Sequence, residues 1–530
     1  MASISTKHFR WCLGTAITVH FIILISLGLS RHWGYMSSIN DLGQFDQAIW
    51  GGLHGELFLN TITLNQQANW IGLHFQPILI LFVPLYAIIP SIIWLTFAQA
   101  LALSLAALPI FFLASRVYSS EKAGLMWALV YLVNPFLLNT AAWDFHLISL
   151  AVPFVAMGML SIESKDFRIL FLSCLVILSC KEHLGVMVVG FGLLWWIKNK
   201  SWKPAVGLIL IGAAHSILVL TIIMPALSPT GKHLMLEEGF GHLTRYSWLG
   251  DSLKEIFQML LLNPIYVIKT VMFGMGGASY LLVLLIPFLG FPLAAPLFLL
   301  PGLADLAANI LSANPMMGGL FSYHSADLIP ILTIAAVYGV RRITRWTKRF
   351  SAKELVGFVF ITSTILGYFF APLPMPGAKN VWAPNHFLNL PDPIIQTIRY
   401  EVGDKASISA QANIGAHFSQ RKEIYSFPNK VGEADAIILR LESPTTNINN
   451  ISEKMKSDRK YFATTLDAHL QMDRTEYIST IERLLFNNEY GILYWNDPWL
   501  AFKRGLTNHG SYKQINQKLN QLRKEWQINS

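Results

Sequence analysis

Charged residues and cysteines are scarce in this chain. Only 13% of its 530 residues are charged, whereas about 25% is usual in soluble domains. The three cysteines, Cys12, Cys174 and Cys180, lie in apolar segments, and their spacing is not that of metal ligands. These scarcities exclude an ordinary soluble protein, a cysteine-based metal site and a disulfide among the residues after Cys180.

Two further absences narrow the classes of function. The chain has no glycine-rich phosphate-binding loop and no internal sequence repeat. Its formal net charge of +9 does not indicate a nucleic-acid partner, because many basic residues border apolar segments, as in residues 341–353. Such runs are signals of membrane topology first and contacts to anionic lipid second. We therefore expect a membrane as partner and no nucleic acid.

Long apolar segments dominate the chain, which is 53% hydrophobic. Since a helix needs about 20 apolar residues to cross a bilayer, the sequence predicts a polytopic α-helical membrane protein. Pro77–Ile89 is expected to lie in the membrane without crossing it. Residues 169–197 could form two short helices or one long helix. The segments give about eleven transmembrane helices, at residues 11–29, 91–114, 124–142, 147–161, 169–180, 184–197, 205–224, 262–274, 279–300, 326–340 and 355–371.

Basic residues beside these segments predict the orientation in an integral cell membrane, either plasma or inner. Lys7 and Arg10 precede the first span, so the positive-inside rule places the N-terminus in the cytoplasm. An odd number of crossings then places the C-terminal part outside the cytoplasm.

A change in composition near residue 371 predicts the domain organisation. Residues 1–371 are a multi-span membrane domain, whose first outer loop covers 30–76. Residues 372–394, rich in proline at the start, are a linker. Residues 395–505 are a small soluble α/β domain on the outer face, and residues 506–530 are a polar tail that forms at most a surface helix.

Patterns inside the soluble domain predict its elements. Apolar runs predict strands at Ala406–Ala410 and Ala436–Arg440. Helical spacing of apolar residues predicts a helix over Asp473–Phe486. A hairpin is expected from Gly491–Trp495 and Trp499–Lys503, which flank a turn-forming Asn-Asp-Pro sequence.

Two aspartates, Asp41 and Asp46, follow the first span and therefore emerge at the outer membrane surface. A helix is expected from Leu42 to Leu53. A carboxylate pair there could hold a divalent cation, Mg²⁺ or Mn²⁺, with Asp41 as a ligand, or provide a general base. Asp41 could instead be only the N-cap of the helix that follows.

Other ionisable or aromatic residues fall on the same predicted face. Because charge at membrane depth is costly and is usually kept for function, these side chains are candidates for one polar pocket. Structural roles also stay open for these residues. His74, His146 and Tyr323 could be interfacial side chains, and Lys181 and Glu182 could form a buried ion pair. Asp305 is interpreted as a loop cap. The candidates are Asp144 as a catalytic residue and His74, His146, Lys181, Glu182, Tyr323 and His324 as substrate-binding residues.

The same residues resemble a known family. The run from Asp41 to Trp50 (DLGQFDQAIW) looks like a signature of the membrane family called domain of unknown function 2079. A segment from Ser407 to Arg421 also resembles that family, and the resemblance spans roughly residues 35–440. Shorter matching motifs are His74-Phe75-Gln76-Pro77, Asp144-Phe145-His146, Lys181-Glu182 and Tyr323-His324.

That family is in turn similar to the GT-C glycosyltransferases, which include the protein mannosyltransferases and the lipid A aminoarabinose transferases. Those multi-span enzymes carry an acidic motif in the first outer loop and use polyprenyl-phosphate sugars. The resemblance implies a GT-C-like fold, hexosyl or pentosyl transfer, a polyprenyl-phosphate lipid as partner, and Asp41 as the catalytic acidic residue or a metal ligand. Many relatives have adjacent acidic residues, whereas Asp41 and Asp46 are five positions apart.

Two functions of different classes follow. In the first, Asp41 is a general base or cation ligand with support from Asp46 or Asp144, while Lys181, His74 and His324 neutralise the departing lipid phosphate. In the second, the protein is a transporter or a non-catalytic lipid-binding membrane protein. Transporters usually place polar groups near the bilayer midplane between repeated halves, a pattern that this sequence does not show.

Overall fold

The computed structural model describes residues 2–234, 243–347, 349–378, 389–443, 470, 472–507 and 510–528, with the backbone alone for residues 2–6 and 243. Lys348 of the basic run, residues 379–388 of the predicted linker, and residues 444–469 and 471 of the predicted soluble domain lie outside the described residues. The chain forms two compact units. Unit 1 comprises Met1–Gly28, Ile71–Ile78 and Leu95–Asn380, and unit 2 comprises Leu29–Trp70, Leu79–Trp94 and Val381–Ser530.

Helices make up most of the described chain, as predicted. Among the described residues, the α-helices of at least eight residues are α1 (Ala2–Trp33), α2 (Gln44–Leu53), α3 (Ile93–Leu105), α4 (Ala107–Tyr118), α5 (Glu121–Leu132), α6 (Pro135–Ala142), α7 (Ile148–Ser164), α8 (Phe167–Cys180), α9 (Gly185–Asn199), α10 (Trp202–Leu218), α11 (Leu253–Leu262), α12 (Gly277–Leu285), α13 (Leu303–Leu311), α14 (Leu328–Thr347), α15 (Ala352–Phe370), α16 (Ile394–Val402), α17 (Arg474–Phe486) and α18 (Tyr512–Glu525).

Four helical segments in the described chain are long and apolar enough to cross a membrane: Lys7–Trp33, Ile93–Tyr118, Trp202–Leu227 and Ala352–Phe370. Two bent pairs raise the number to six if each counts as one span. One pair, α5 with α6, bends by 46°, and the other joins α11 to Pro264–Gly274 with a bend of 95°. The structure therefore supports a membrane protein with four to six candidate spans, and the count of eleven stays a prediction.

Unit 1 is a bundle in which helices that follow one another in sequence also pack together, namely α4 with α5, α7 with α8, and α9 with α10. Short polar turns, in which a side chain caps the start of the next helix, let the chain reverse direction between these helices. Asp166 accepts hydrogen bonds from the amides of Arg168 and Ile169 and so begins α8. Residues 169–197, left open by the sequence, form two helices that are interrupted at Lys181, whose backbone is extended.

The predicted span over residues 279–300 is not one helix. After α12 ends at Leu285, the chain continues as 3₁₀ turns at Ile286–Phe288, Phe291–Ala294 and Pro296–Gly302. The physical reason is proline, which removes a backbone donor and clashes with the preceding turn of an α-helix. Four prolines interrupt this stretch, at positions 287, 292, 296 and 301.

Unit 2 contains a five-stranded sheet with strand order β4-β3-β5-β7-β6. Pairing is parallel between β4, β3 and β5, and antiparallel between β5, β7 and β6. The strand β5 is buried on both faces, which explains its continuous apolar sequence. A two-stranded ribbon, β1 with β2, lies in the same unit. The strands are β1 (Leu59–Asn60), β2 (Ala68–Asn69), β3 (Ile408–Ala410), β4 (Ile424–Ser426), β5 (Ala436–Arg440), β6 (Tyr490–Asn496) and β7 (Trp499–Arg504).

The strands at 408–410 and 436–440, helix α17 and the β6–β7 hairpin lie where the sequence predicts them. Two features differ from expectation. The strand β4 has no counterpart among the predicted strands, because its three residues are too few to show a pattern. Helix α18 is more than a surface helix, since Ile515, Leu519 and Leu522 are buried in one apolar core with residues of α17 and β5.

Candidate functional site

The turn between α8 and α9 carries three consecutive ionisable residues, Lys181, Glu182 and His183. Helix α9 starts at Gly185, which approaches Gly212 of α10 so closely that a Cβ at Gly185 would collide with the Gly212 carbonyl. This approach holds the turn against α10. The turn thus places charged side chains at the end of two apolar helices, where they need partners.

Glu182 pairs with His74, whose Nδ1 lies 3.2 Å from the carboxylate oxygen Oε1. The other oxygen, Oε2, is buried and has no hydrogen-bond partner among the described residues. Burial by itself raises the pKa of this carboxyl, but the charges of His74, Lys181 and His183 outweigh it and hold the pKa below its usual value. The proposed Lys181–Glu182 ion pair is therefore wrong as a direct contact.

Lys181 itself is half-buried, and no carboxylate of the described chain lies within ion-pair distance of its ammonium group. Its charge nevertheless acts on Glu182, His146 and Asp327. A cation that stays accessible beside buried ionisable groups can bind an anion without first breaking an internal salt bridge.

His183 extends the arrangement to α13. Its Nε2 lies 3.1 Å from Oδ1 of Asp305, and the charge of Asp305 acts in turn on the buried carboxyl of Asp327. The interpretation of Asp305 as a loop cap is wrong, because Asp305 lies in the first turn of α13 and the N-cap is Gly302. Asp327 is absent from the residues that the sequence singles out, although an acidic residue directly before a long apolar helix is a usable signal.

An aromatic stack forms a second part of unit 1. The ring of Tyr323 lies between those of His146, at a centroid distance of 3.5 Å, and His324, at 4.1 Å. The amide of His146 donates to Oε1 of Gln99. Burial lowers the pKa of His146 to about 3, and the nearby charges of Lys181 and His74 act in the same direction. At neutral pH this imidazole is therefore uncharged.

We name the set His74, His146, Lys181, Glu182, His183 and Asp305 the ionisable cluster. Four of the six predicted substrate-binding residues belong to it, and the other two, Tyr323 and His324, join it through the ring of His146. Asp144 lies in the same unit, where its carbonyl accepts a hydrogen bond from His146 Nδ1. Asp144 as a whole residue is half-buried.

The two aspartates of the first loop belong to unit 2. Asp41 lies half-buried inside a π-helical turn, Ile39–Gly43, whose N-cap is Ser38. The alternative of Asp41 as the N-cap is therefore wrong, although the helix expected from Leu42 to Leu53 is present as α2.

Asp46 is fully buried in α2 and accepts three hydrogen bonds within unit 2. The donors are the hydroxyls of Tyr86 (2.8 Å) and Ser419 (2.6 Å) and the amide of Gln420 (3.1 Å). Burial raises the pKa of Asp46, although these donors and the charge of Arg399 oppose the shift. The carboxyl thus ties together three separate stretches of chain.

The predicted cation site at Asp41 finds no support in the grouping of side chains. Within the part of the chain that the structure describes, no three His, Cys, Asp or Glu side chains are grouped so as to hold a metal ion.

Comparison with known proteins identifies the relationship. A family model described as a predicted membrane protein, DUF2079, matches residues 31–497. The chain belongs to this family. The match includes both aspartates of the first loop, the whole ionisable cluster and most of the sheet of unit 2. No curated protein matches the chain.

Proposed function

We propose that this DUF2079 protein is a GT-C-type membrane glycosyltransferase that moves a sugar from a polyprenyl-phosphate donor to an acceptor at the outer membrane face. The observation that carries the proposal is the accessible ammonium of Lys181, which lies within the ionisable cluster next to the buried Glu182. Transfer from such a donor leaves a lipid phosphate, and its negative charge requires a cation placed before the reaction begins.

The roles divide between charge stabilisation and proton transfer. Lys181 binds the donor phosphate, and the Tyr323 stack with His146 and His324 lies beside the same cluster and offers flat aromatic surfaces to a sugar. Asp41 and Asp144 are the two candidates for the general base, because each residue is only partly buried. Asp46 supports the fold of its own unit rather than the chemistry, since three donors already occupy its carboxyl.

Donor cleavage by the full chain in proteoliposomes tests the proposal. The donors are polyprenyl phosphates that carry one hexose or one pentose, and the measurement is the release of polyprenyl phosphate. Lys181→Met should lower the release by about 10²-fold, and Lys181→Arg should recover part of it. Lys165→Met, at an exposed position after α7, is the matched control and should behave as the wild type.

Two results would contradict the proposal. One is a wild-type protein that cleaves none of these donors, and the other is a Lys181→Met variant with wild-type release. Asp41→Asn and Asp144→Asn then identify the base, because the variant of the true base should lose transfer while it still binds the donor.

One observation favours the alternative of a transporter or lipid-binding protein. Unit 1 contains an apolar cavity of about 570 Å³ between α12, α13 and α15, lined by residues such as Tyr280, Phe321 and Phe370. A cavity of this size suits a lipid chain. Lipid that binds with no donor cleavage would favour this alternative, whereas binding coupled to cleavage would make the cavity part of the transferase.

A further inference from the structure

A smaller pocket in unit 1 lies where α4, α7 and the start of α8 meet. Its cavity has a volume of about 320 Å³ and is lined by charged, hydroxyl and apolar side chains. Helix α4 is the final part of the candidate span Ile93–Tyr118, and Arg116, which lines the pocket, lies in its last turn. This end of the span is expected at the boundary between membrane and water, where basic side chains meet lipid headgroups. The transferase proposal gives the pocket no role.

Two opposite charges, Arg116 and Asp166, line this pocket without neutralising each other. In the part of the chain that the structure describes, neither side chain has an oppositely charged partner at ion-pair distance. Asp166 Oδ1 accepts the amides of Arg168 and Ile169 at 3.1 and 3.2 Å, whereas Oδ2 accepts no hydrogen bond from the described residues. A ligand that carries a negative and a positive charge can therefore meet both groups at once.

Two hydroxyls beside Asp166 define the positive end of such a ligand. Ser161 and Ser164 line the pocket, and the Asp166 amide donates to the Ser161 carbonyl at 2.9 Å. Both hydroxyls donate their protons inside α7, to the carbonyls of Met157 (2.7 Å) and Ser161 (3.3 Å), so their oxygens remain as acceptors. A carboxylate with two hydroxyl acceptors suits a primary ammonium, which has only N–H donors. The Arg116 guanidinium suits a phosphate, which it can bind through paired hydrogen bonds.

Apolar side chains at the edge of the pocket indicate that the ligand is a lipid. Phe112 and Ile169 line the cavity and are still 42% and 41% exposed. Ligand pockets measure about 300–1,000 Å³, so a cavity of about 320 Å³ accommodates a headgroup while the hydrocarbon chains stay in the bilayer. Those chains can pack on the two exposed side chains. A free phosphate or a soluble amine would gain nothing from this apolar surface.

We propose that the pocket binds one phosphatidylethanolamine molecule, with its phosphate on Arg116 and its ammonium on Asp166 Oδ2 and the two serine hydroxyls. Phosphatidylcholine carries the same charges, but its nitrogen has no N–H to donate. Phosphatidylglycerol has the phosphate and no positive charge. The pocket therefore distinguishes the three lipids by their headgroups. The inference goes beyond the transferase proposal and does not depend on it.

Native mass spectrometry of the full chain, titrated in detergent with each of the three lipids, measures this preference. The wild type should bind one phosphatidylethanolamine about tenfold more tightly than either of the other two lipids. The reason is that only its ammonium can donate hydrogen bonds to the carboxylate of Asp166.

Two substitutions separate the two ends of the headgroup. Asp166→Asn keeps an oxygen for the N-cap of α8, so the variant should fold, and it should bind phosphatidylethanolamine no better than phosphatidylcholine. Arg116→Gln, at an exposed position, should weaken both of these lipids about tenfold, and Arg116→Lys should recover part of the loss. Arg168→Gln is the matched control, because Arg168 is exposed near the same helix start but does not line the pocket. It should keep the wild-type affinities.

The proposal fails if the wild type shows no preference for phosphatidylethanolamine, if folded Asp166→Asn keeps that preference, or if Arg116→Gln and Arg168→Gln bind lipid equally well. Tighter binding of phosphatidylglycerol would mark the pocket as a general anion site and would equally exclude the proposed headgroup. If Arg116→Gln does not fold, the order of the three lipids on the wild type and its loss in Asp166→Asn still decide.

Discussion

Asp46 of unit 2 and Glu182 of unit 1 are both buried carboxyls, but they are satisfied in opposite ways. Asp46 has three neutral donors on its two oxygens. Glu182 has a single histidine on one oxygen and no partner in the described chain on the other. Since a buried polar atom without a partner costs free energy, Glu182 keeps a costly arrangement that Asp46 avoids. The difference fits an architectural role for Asp46 and favours Glu182 as the residue to test for a functional role.

The pKa shifts follow the same division. Around Asp46, burial is the strongest influence and raises its pKa in spite of the surrounding donors. Around Glu182, burial also raises the pKa, but the neighbouring charges exceed it and the net shift is downward. The neutral donors around Asp46 thus surround a carboxyl whose ionisation is disfavoured. The cations around Glu182 instead favour its ionised form.

The largest expected effect comes from Asp46→Ala. It leaves the buried hydroxyl of Tyr86 without its acceptor and removes one of two acceptors from each of Ser419 and Gln420, so α2 should lose about 3 kcal/mol of stability. Hydrogen exchange of the amides of α2 measures that loss. Asp46→Asn, which keeps a carbonyl acceptor, should lose less. Wild-type exchange in Asp46→Ala would show that the three bonds contribute nothing.

The pH dependence should have opposite signs in the two regions. Because folding raises the pKa of Asp46, the stability of α2 should fall as the pH rises from about 3.9 through the folded pKa. Because folding lowers the pKa of Glu182, its contribution is present above about pH 4.3 and is lost as the pH falls through the folded pKa. Each slope is at most about 1.4 kcal/mol per pH unit.

Hydrogen exchange over a pH series, corrected for the intrinsic rates, separates the two slopes through peptides from α2 and from the turn after α8. Asp46→Asn should flatten only the first slope and Glu182→Gln only the second. Slopes of equal sign in the wild type would remove the distinction between the two carboxyls.

The smallest expected effect is that of Gln420→Ala. It removes the longest of the three bonds to Asp46, at 3.1 Å, and leaves the two hydroxyl donors in place, so α2 should lose about 1 kcal/mol. Ser419→Ala, which removes the shortest bond, is the matched comparison and should cost more. If Gln420→Ala costs as much as Asp46→Ala, the three bonds do not contribute as their lengths indicate.

The sequence predicts well what depends on local pattern. The helix expected over Asp473–Phe486, the hairpin around Asn496 and the strand Ala436–Arg440 all follow from neighbours in the chain, and the structure contains them. Lys181, Glu182 and His74 stand out as candidates because charge is rare in apolar surroundings.

Partners that are distant in sequence cannot be predicted in the same way. Glu182 pairs with His74, 108 positions away, and not with its neighbour Lys181. Asp46 meets Ser419, 373 positions away, so its burial beneath donors has no local signature. The local sequence of Asp305 resembles that of a cap, whereas its partner in the structure is His183, from the distant turn between α8 and α9.

The four prolines that break residues 286–302 into 3₁₀ turns have a consequence for biogenesis. A backbone without a regular α-helical ladder cannot face lipid alone, because its amides and carbonyls find no water there. Helices α9 and α14 pack against these turns, and α14 is synthesised after them. These turns are therefore suited to membrane depth only while α9 and α14 cover them, so this stretch depends on a helix that is synthesised after it.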